Sequence, residues 1–259
     1  MQTLRNKRAV VTGGSRGLGL AIVEALARQE ADVIAVARDQ ERFSSAQAAG
    51  ARMIAGDATD AGLMNRLVAE EAPDILILNA GAQLPMKPID RQSWEEFSLA
   101  WNIDVQGGFV GITAALHTPM KPGGRILIMS SGAATVLSAP FPQPASLRLS
   151  SGYVGAKRML WFLAHQANSV VKERDLGLNF QVIVPMQVLP GTALGHAVAA
   201  VHAKIEGVSA EEHVRQRYGS ILPPEELGDR VAELLRKPEL DSGVAYGIRH
   251  GSDLIPLDV

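Results

Sequence analysis

The chain has 259 residues, 47% of them hydrophobic, with a formal net charge of −2 and no cysteine. That length suits one α/β domain, and the apolar share is enough to bury both faces of a sheet. The charge gives no basic field for nucleic acid, and the missing thiol excludes disulfides, thiolate zinc sites and cysteine nucleophiles.

In chain order, residues 1–8 are polar and lead straight into Ala9, so no signal peptide is expected. The apolar runs are short or broken by Gly and charge, too little for a membrane span. A soluble, cytoplasmic protein is expected. Seven short apolar runs read as strands: 8–12, 32–37, 52–55, 75–78, 125–130, 180–184 and 245–248. Most are continuous rather than alternating, as in a parallel sheet with helices on both faces. Helical segments lie near 17–29, 40–48, 60–71, 92–117, 152–174 and 224–236. The first of them carries Leu18, Ala21, Ile22, Ala25 and Leu26 on one stripe. This alternation, without a break in composition, predicts a single doubly wound, Rossmann-type α/β domain across residues 1–259, with about seven parallel strands.

Gly13, Gly14, Gly17 and Gly19 stand between the first strand and the first helix. Glycine lets the backbone turn sharply and approach a phosphate without a Cβ in the way. The helix N-terminus then offers free N–H groups and a positive dipole end. The order Gly-x3-Gly-x-Gly differs from the Gly-x-Gly-x-x-Gly fingerprint, and there is no P-loop. A plain tight turn is the competing reading. The second strand ends in Val36, Ala37, Arg38 and Asp39. An acid at this end would bind ribose hydroxyls, but Ala37 takes that place and a cation follows. Arg38 with Arg16 suits a 2′-phosphate held by charge-assisted hydrogen bonds, which favours NADP over NAD. The alternative leaves both arginines solvated and gives the ribose to Asp39.

Two segments break the strand–helix rhythm. Residues 133–151 hold prolines at 140, 142 and 144 and read as a long loop. Residues 190–220 open on Pro-Gly and carry Leu194, Ala197, Val198, Val201 and Ile205 as an amphipathic helix. Ligands of open α/β sheets bind beyond the carboxyl ends of the strands, so 190–220 is a candidate substrate-covering segment. Surface elaboration is the plain alternative. His196 and His202 are off a common helix face and no His-Glu-x-x-His occurs, so no metal site is expected.

Tyr153 and Lys157 are four residues apart, on one face of a helix. A carbonyl that accepts a hydride develops alkoxide character and needs a proton. A phenol, with an ordinary pKa of about 10, gives one readily but takes it back poorly at neutral pH. An ammonium one turn away stabilises the phenolate and eases both directions. An ordinary surface pair is the bland reading of the same spacing.

The ordered set of motifs resembles the short-chain dehydrogenase/reductase superfamily over essentially the whole chain. The stretch from Thr12 to Gly19 matches that family's cofactor turn, Asp57 its adenine-contacting acid, and Asn79, Ala80 and Gly81 its Asn-Ala-Gly strand end. Trp101, Asn102 and Ile103 resemble the segment with the active-site asparagine. Met129, Ser130, Ser131 and Gly132 resemble the strand end with the serine, and Tyr153 with Lys157 the catalytic pair. The resemblance implies an NAD(P)-dependent oxidoreductase acting on a small carbonyl or alcohol substrate. Tyr153 would be the acid/base, Lys157 its activator and a ribose contact, Ser131 the orienter and Asn102 a proton relay. Ser131 is preferred to Ser130 for its Ser-Gly-Ala flank. Cofactor contacts are implied for Gly13, Ser15, Arg16, Gly17, Leu18, Gly19, Arg38, Asp57, Ala58, Asn79, Ala80 and Gly81, besides Tyr153 and Lys157. Asp57 as a helix cap is the alternative. A homodimer or homotetramer is also implied, because in that family the helix carrying Met159, Leu160, Trp161 and Leu163 packs against a neighbouring subunit; intrachain core is the plain reading.

The chain departs from the family pattern in three places. Ser131 and Tyr153 lie 22 positions apart, longer than usual, so the extra loop with Phe141, Leu147 and Arg148 is expected near the substrate. The strand near 180–184 runs into Pro185, Met186 and Gln187, and Pro190-Gly191-Thr192 follows later, which leaves the contact to the nicotinamide carboxamide open. Residues 243–251 match the family's last strand and turn only loosely. A neutral or moderately hydrophobic substrate is expected, with Arg148 leaving room for an anionic group. The same scaffold also supports an epimerase or lyase without net cofactor turnover, or a non-catalytic NADP-binding sensor. A pure sensor would need none of Asn102, Ser131, Tyr153 and Lys157.

Overall fold

The computed structural model describes residues 2–83, 85–117, 120–138, 149, 151–187 and 192–257. The first half alternates β1 (Arg8–Thr12), α1 (Gly17–Arg28), β2 (Asp32–Ala37), α2 (Ser44–Ala48), β3 (Arg52–Ala55), α3 (Ala61–Glu71) and β4 (Ile75–Leu78). Next come α4 (Trp94–Ala100), a π-helical turn (Trp101–Val105), α5 (Gln106–His117), β5 (Arg125–Met129), α6 (Ser151–Arg174) and β6 (Asn179–Pro185). The chain closes with α7 (Ala193–Glu206), α8 (Ala210–Tyr218), α9 (Pro224–Arg236), β7 (Ala245–Ile248) and β8 (Ile255–Pro256).

The strands form one sheet in the order β3-β2-β1-β4-β5-β6-β7-β8, all pairs parallel except β7 with β8. Winding reverses between β1 and β4, which opens a crevice at the carboxyl ends of the strands. Side chains alternate between the two faces, as the pleat requires. Val10, Ile34, Leu76, Ile126 and Val182 pack on one face with Val110 of α5 and Leu160 of α6. Their sequence neighbours Val11, Ala35, Ile77, Leu127 and Ile183 pack on the other with Ile22 of α1 and Val231 of α9. Both faces are covered, hence the continuous apolar runs.

Three expectations change. The sheet has eight strands among the described residues, not seven; the added β8 is two residues long and contains Pro256, too short a signal to stand out. Residues 190–220 hold two helices rather than one. Gly207, at φ +71°, ends α7 in the left-handed region, and the Ser209 hydroxyl accepts the Glu212 N–H at 3.1 Å to start α8. The start of the expected loop at 133–151 is a short 3-10 stretch, Gly132–Ser138. Phe141, Leu147, Arg148, Pro190 and Gly191 lie outside the described residues.

Candidate active site

The carboxyl ends of the strands line a cleft of about 1080 Å³. At one end lies the glycine turn. Gly13 has φ +69°, and a Cβ there would sit 2.9 Å from Ala80 Cα; one on Gly19 would overlap the Gly13 carbonyl. Neither position has room for a side chain, so the turn keeps its tight backbone path only with glycine. No side chain caps α1, so its first N–H groups stay available to an anion. These residues fit a dinucleotide pyrophosphate. Ser15, Arg16, Gly17 and Leu18 line the same wall.

Asn79 acts as a clamp behind that turn. Its side-chain amide donates to the Thr12 carbonyl at 3.1 Å, and its backbone N–H donates to Thr12 Oγ1 at 3.0 Å. Ala80 N–H reaches the same hydroxyl at 3.2 Å, so the ends of β1 and β4 are tied together under the cleft. Ala80 and Gly81 line it directly.

At the ends of β2 and β3, Ala37, Arg38, Asp57 and Ala58 line the cleft. Arg38 Nη1 lies 3.6 Å from Asp57 Oδ2. The Thr59 backbone N–H, the strongest influence, holds the Asp57 carboxyl below its ordinary range against partial burial, with Arg38 helping. Asp39 is engaged elsewhere: its side chain accepts the Glu41 N–H at 3.2 Å and pairs with Arg42 at 2.8 Å.

At the other end, Ser131, Tyr153 and Lys157 line the cleft. Lys157 Nζ sits 5.6 Å from the Tyr153 ring centroid. Its ammonium donates to the Met129 carbonyl at 3.1 Å and pairs with Asp104 Oδ2 at 2.9 Å. The two side chains of that pair are only 8% and 1% exposed. Burial works against the Lys157 charge, but Asp104 outweighs it and the ammonium ionises above the usual lysine range. Asp104 also accepts the Ala82 N–H at 2.7 Å. Ser130 is buried and its hydroxyl donates to the Lys157 carbonyl at 2.9 Å, whereas Ser131 is half-buried beside the cleft. Tyr153 is positioned by close packing of α6 on the π-helical turn: Trp101 Nε1 donates to the Gly152 carbonyl at 3.1 Å, and Gly155 faces the Trp101 ring.

Asn102 is the one expected site residue that the structure does not bring to the cleft. It is exposed, and its amide donates to Ser98 Oγ at 3.3 Å. Residues two apart on a helical turn point to nearly opposite sides, so Asp104 faces Lys157 while Asn102 faces solvent. The π-helical turn carries both. Sequence reasoning also passed over His202, Arg217, Tyr218 and Arg249, which line the cleft with Thr192 and Val198. A Cβ on Gly17 would lie 3.6 Å from Thr192 Cγ2, so the start of α7 reaches the glycine turn. Among the described residues no group of three His, Asp or Glu is placed to hold a metal, and no helix is long and apolar enough to cross a membrane.

The family model for short chain dehydrogenase matches residues 7–145. Oxidoreductase asL5 of Sarocladium schorii is 27% identical over 242 residues, covering 90% of each chain. L-fucose dehydrogenase of Rattus norvegicus is 26% identical over 255 residues, 96% of this chain and 90% of that one. Gluconate 5-dehydrogenase of Gluconobacter oxydans is 33% identical over 142 residues, about half of each chain (50% and 55%). A crystal structure described as that of a betaketoacyl-ACP reductase superposes with a TM-score of 0.71 at 24% identity, over 96% of this chain and 98% of that one. That likeness concerns the fold alone.

Proposed function

The chain belongs to the short-chain dehydrogenase family, NAD(P)-dependent oxidoreductases, and from that premise we propose an NADP-dependent enzyme that interconverts a carbonyl and an alcohol on a small organic substrate. The observation that carries this reading is that Ser131, Tyr153 and Lys157 line one cleft with the glycine turn. When bound, the nicotinamide supplies or takes up the hydride.

The protein's own groups do the rest. Tyr153 donates a proton to the substrate oxygen in reduction and accepts it in oxidation. Ser131 Oγ holds that oxygen toward the phenol. An ammonium has three donors; with Asp104 and Met129 taking two, Lys157 keeps one for a ribose hydroxyl, and its charge favours the phenolate. Asp104 is the positioning residue in this scheme, in the place expected of Asn102. Arg38 and Arg16 take the 2′-phosphate, a reading supported by the engagement of Asp39 with Arg42. The segment at 190–220 covers the substrate, and the protein works as a homodimer or homotetramer. Phe109 of α5 and Phe162 of α6, 53% and 56% exposed, suit a subunit contact there, while Leu160 and Trp161 belong to the intrachain core.

A screen of carbonyl compounds for loss of NADPH absorbance, with NADH in parallel, tests the reading. Turnover with NADPH is expected. Product formation without net change of cofactor would transfer the assignment to an epimerase or lyase, and binding without any turnover to a sensor.

A further inference from the structure

The three acids lining the cleft are each matched: Asp39 by Arg42, Asp57 by Arg38 and Asp104 by Lys157. Arg16, Arg217 and Arg249 also line it and form no ion pair with a carboxylate among the described residues. The cleft is therefore cationic, although the chain as a whole carries −2. Arg16 belongs to the glycine turn. Arg217 and Arg249 do not.

Gln187 joins the segments that carry those two. It is buried, donates to the Ser220 carbonyl at 2.8 Å next to the end of α8, and accepts the His250 N–H at 2.7 Å just after β7. One amide thus ties the turn after Arg217 to the turn after Arg249. Nearby acids are engaged elsewhere: Glu226 accepts the Gly251 N–H at 2.8 Å and pairs with His250, and Glu206 pairs with His213. Burial raises the Tyr218 phenol above its ordinary range, and the Arg217 guanidinium, hydrogen-bonded to it, pulls the other way.

Position separates this pair from the dinucleotide. Arg249 follows β7 and Arg38 follows β2, five strands away in the sheet order. At about 4.8 Å per strand that is about 24 Å, at the opposite end of the cleft from the expected 2′-phosphate. Ser131 follows β5, only two strands from β7, about 10 Å on the same basis. We propose that Arg217 and Arg249 bind an anionic group of the substrate, a carboxylate or a phosphate, held several bonds away from its reacting carbon. This rests on the oxidoreductase reading and replaces the neutral substrate expected from the sequence. Guanidinium forks suit both oxyanions.

Calorimetric titration of the NADP-saturated enzyme with hexanoate, hexanamide and hexyl phosphate tests it. At least one anion should bind about tenfold or more tightly than the neutral amide, the scale of a charged hydrogen bond; the tighter of the two names the oxyanion. Arg217→Gln with Arg249→Gln should abolish that preference, and Arg16→Gln should not. Equal binding of all three probes by the unaltered enzyme, or a preference that survives the double substitution, overturns the proposal. Both arginines are exposed, so the double variant is expected to fold, and equal binding by the unaltered enzyme overturns the proposal without it. Loss of the oxidoreductase reading would show separately, as no NADPH consumption with any carbonyl while the anion preference persists.

Discussion

The Asp104 carboxylate lies 2.9 Å from the Lys157 ammonium, and neither side chain has appreciable contact with solvent. Asp104 is further held by the Ala82 N–H, beside Gly81, at the end of β4. The pair therefore ties the π-helical turn, the end of β4 and α6 together directly behind Tyr153.

Removing one partner of a buried pair strands the other charge. Asp104→Ala should cost about 3–5 kcal/mol of stability. Asp104→Asn should fold better, and it leaves the ammonium without its counter-charge. Burial then pushes Lys157 toward its neutral form and the positive field on Tyr153 weakens, so the rise of alcohol oxidation with pH should shift to higher pH. An unshifted profile in Asp104→Asn would mean that Asp104 is structural only.

Tyr153→Phe keeps the ring and its packing and removes only the hydroxyl. Turnover should fall by at least about 10²-fold, the range for loss of a general acid. Binding of NADPH, followed by its fluorescence, should change little. Retained turnover would remove Tyr153 from the mechanism.

Arg38→Ala should weaken NADPH much more than NADH. A charged hydrogen bond contributes about 1.5–3 kcal/mol, so a loss of about tenfold or more for NADPH is expected. The partner carboxylate, Asp57, would then face the cleft without its cation and repel the 2′-phosphate. Comparable losses for both cofactors would count against the phosphate clamp.

Acid should destabilise the fold through identifiable carboxylates. Burial raises Asp74, but the Arg8 backbone N–H at 2.9 Å and the Lys7 ammonium outweigh it and bring the carboxyl below its ordinary 3.8. Glu226 is likewise pushed up by burial yet held below 4.5 by the Gly251 N–H and His250. A depressed folded value means stability that is present above the ordinary range and lost as pH falls through the folded one. The thermal midpoint should therefore drop as pH falls from neutral into that range, and less steeply in Asp74→Asn. An identical slope in the variant would show that Asp74 has no part in it.

The sheet was legible because burial on both faces leaves continuous apolar runs. Five of the seven expected strands, including 8–12 and 75–78, have the boundaries found in the structure; 125–130 differs by one residue at its end and 180–184 by one residue at each end. The start of α4 carries a mark in Ser93, whose hydroxyl accepts the Glu96 N–H while Glu96 accepts the Ser93 N–H, and the expected helix at 92–117 begins within two residues of it. The break between α7 and α8 carried such a mark in Gly207 and Ser209 and was passed over. Asn102 was chosen by its residue type within a motif. Spacing alone does not say which side of a π-helical turn faces inward, so Asp104 went unnoticed.

By itself the sequence determined the strand–helix order, the glycine turn and the Tyr153–Lys157 pair. Each is set by residues within a few positions of one another, where backbone geometry follows directly from local chemistry. Only the tertiary structure decided that Asp104 meets Lys157 and that Gln187 meets Ser220 and His250, beside Arg217 and Arg249. Those meetings join residues 53, 33 and 63 positions apart, brought together by packing around a shared sheet rather than by any local pattern.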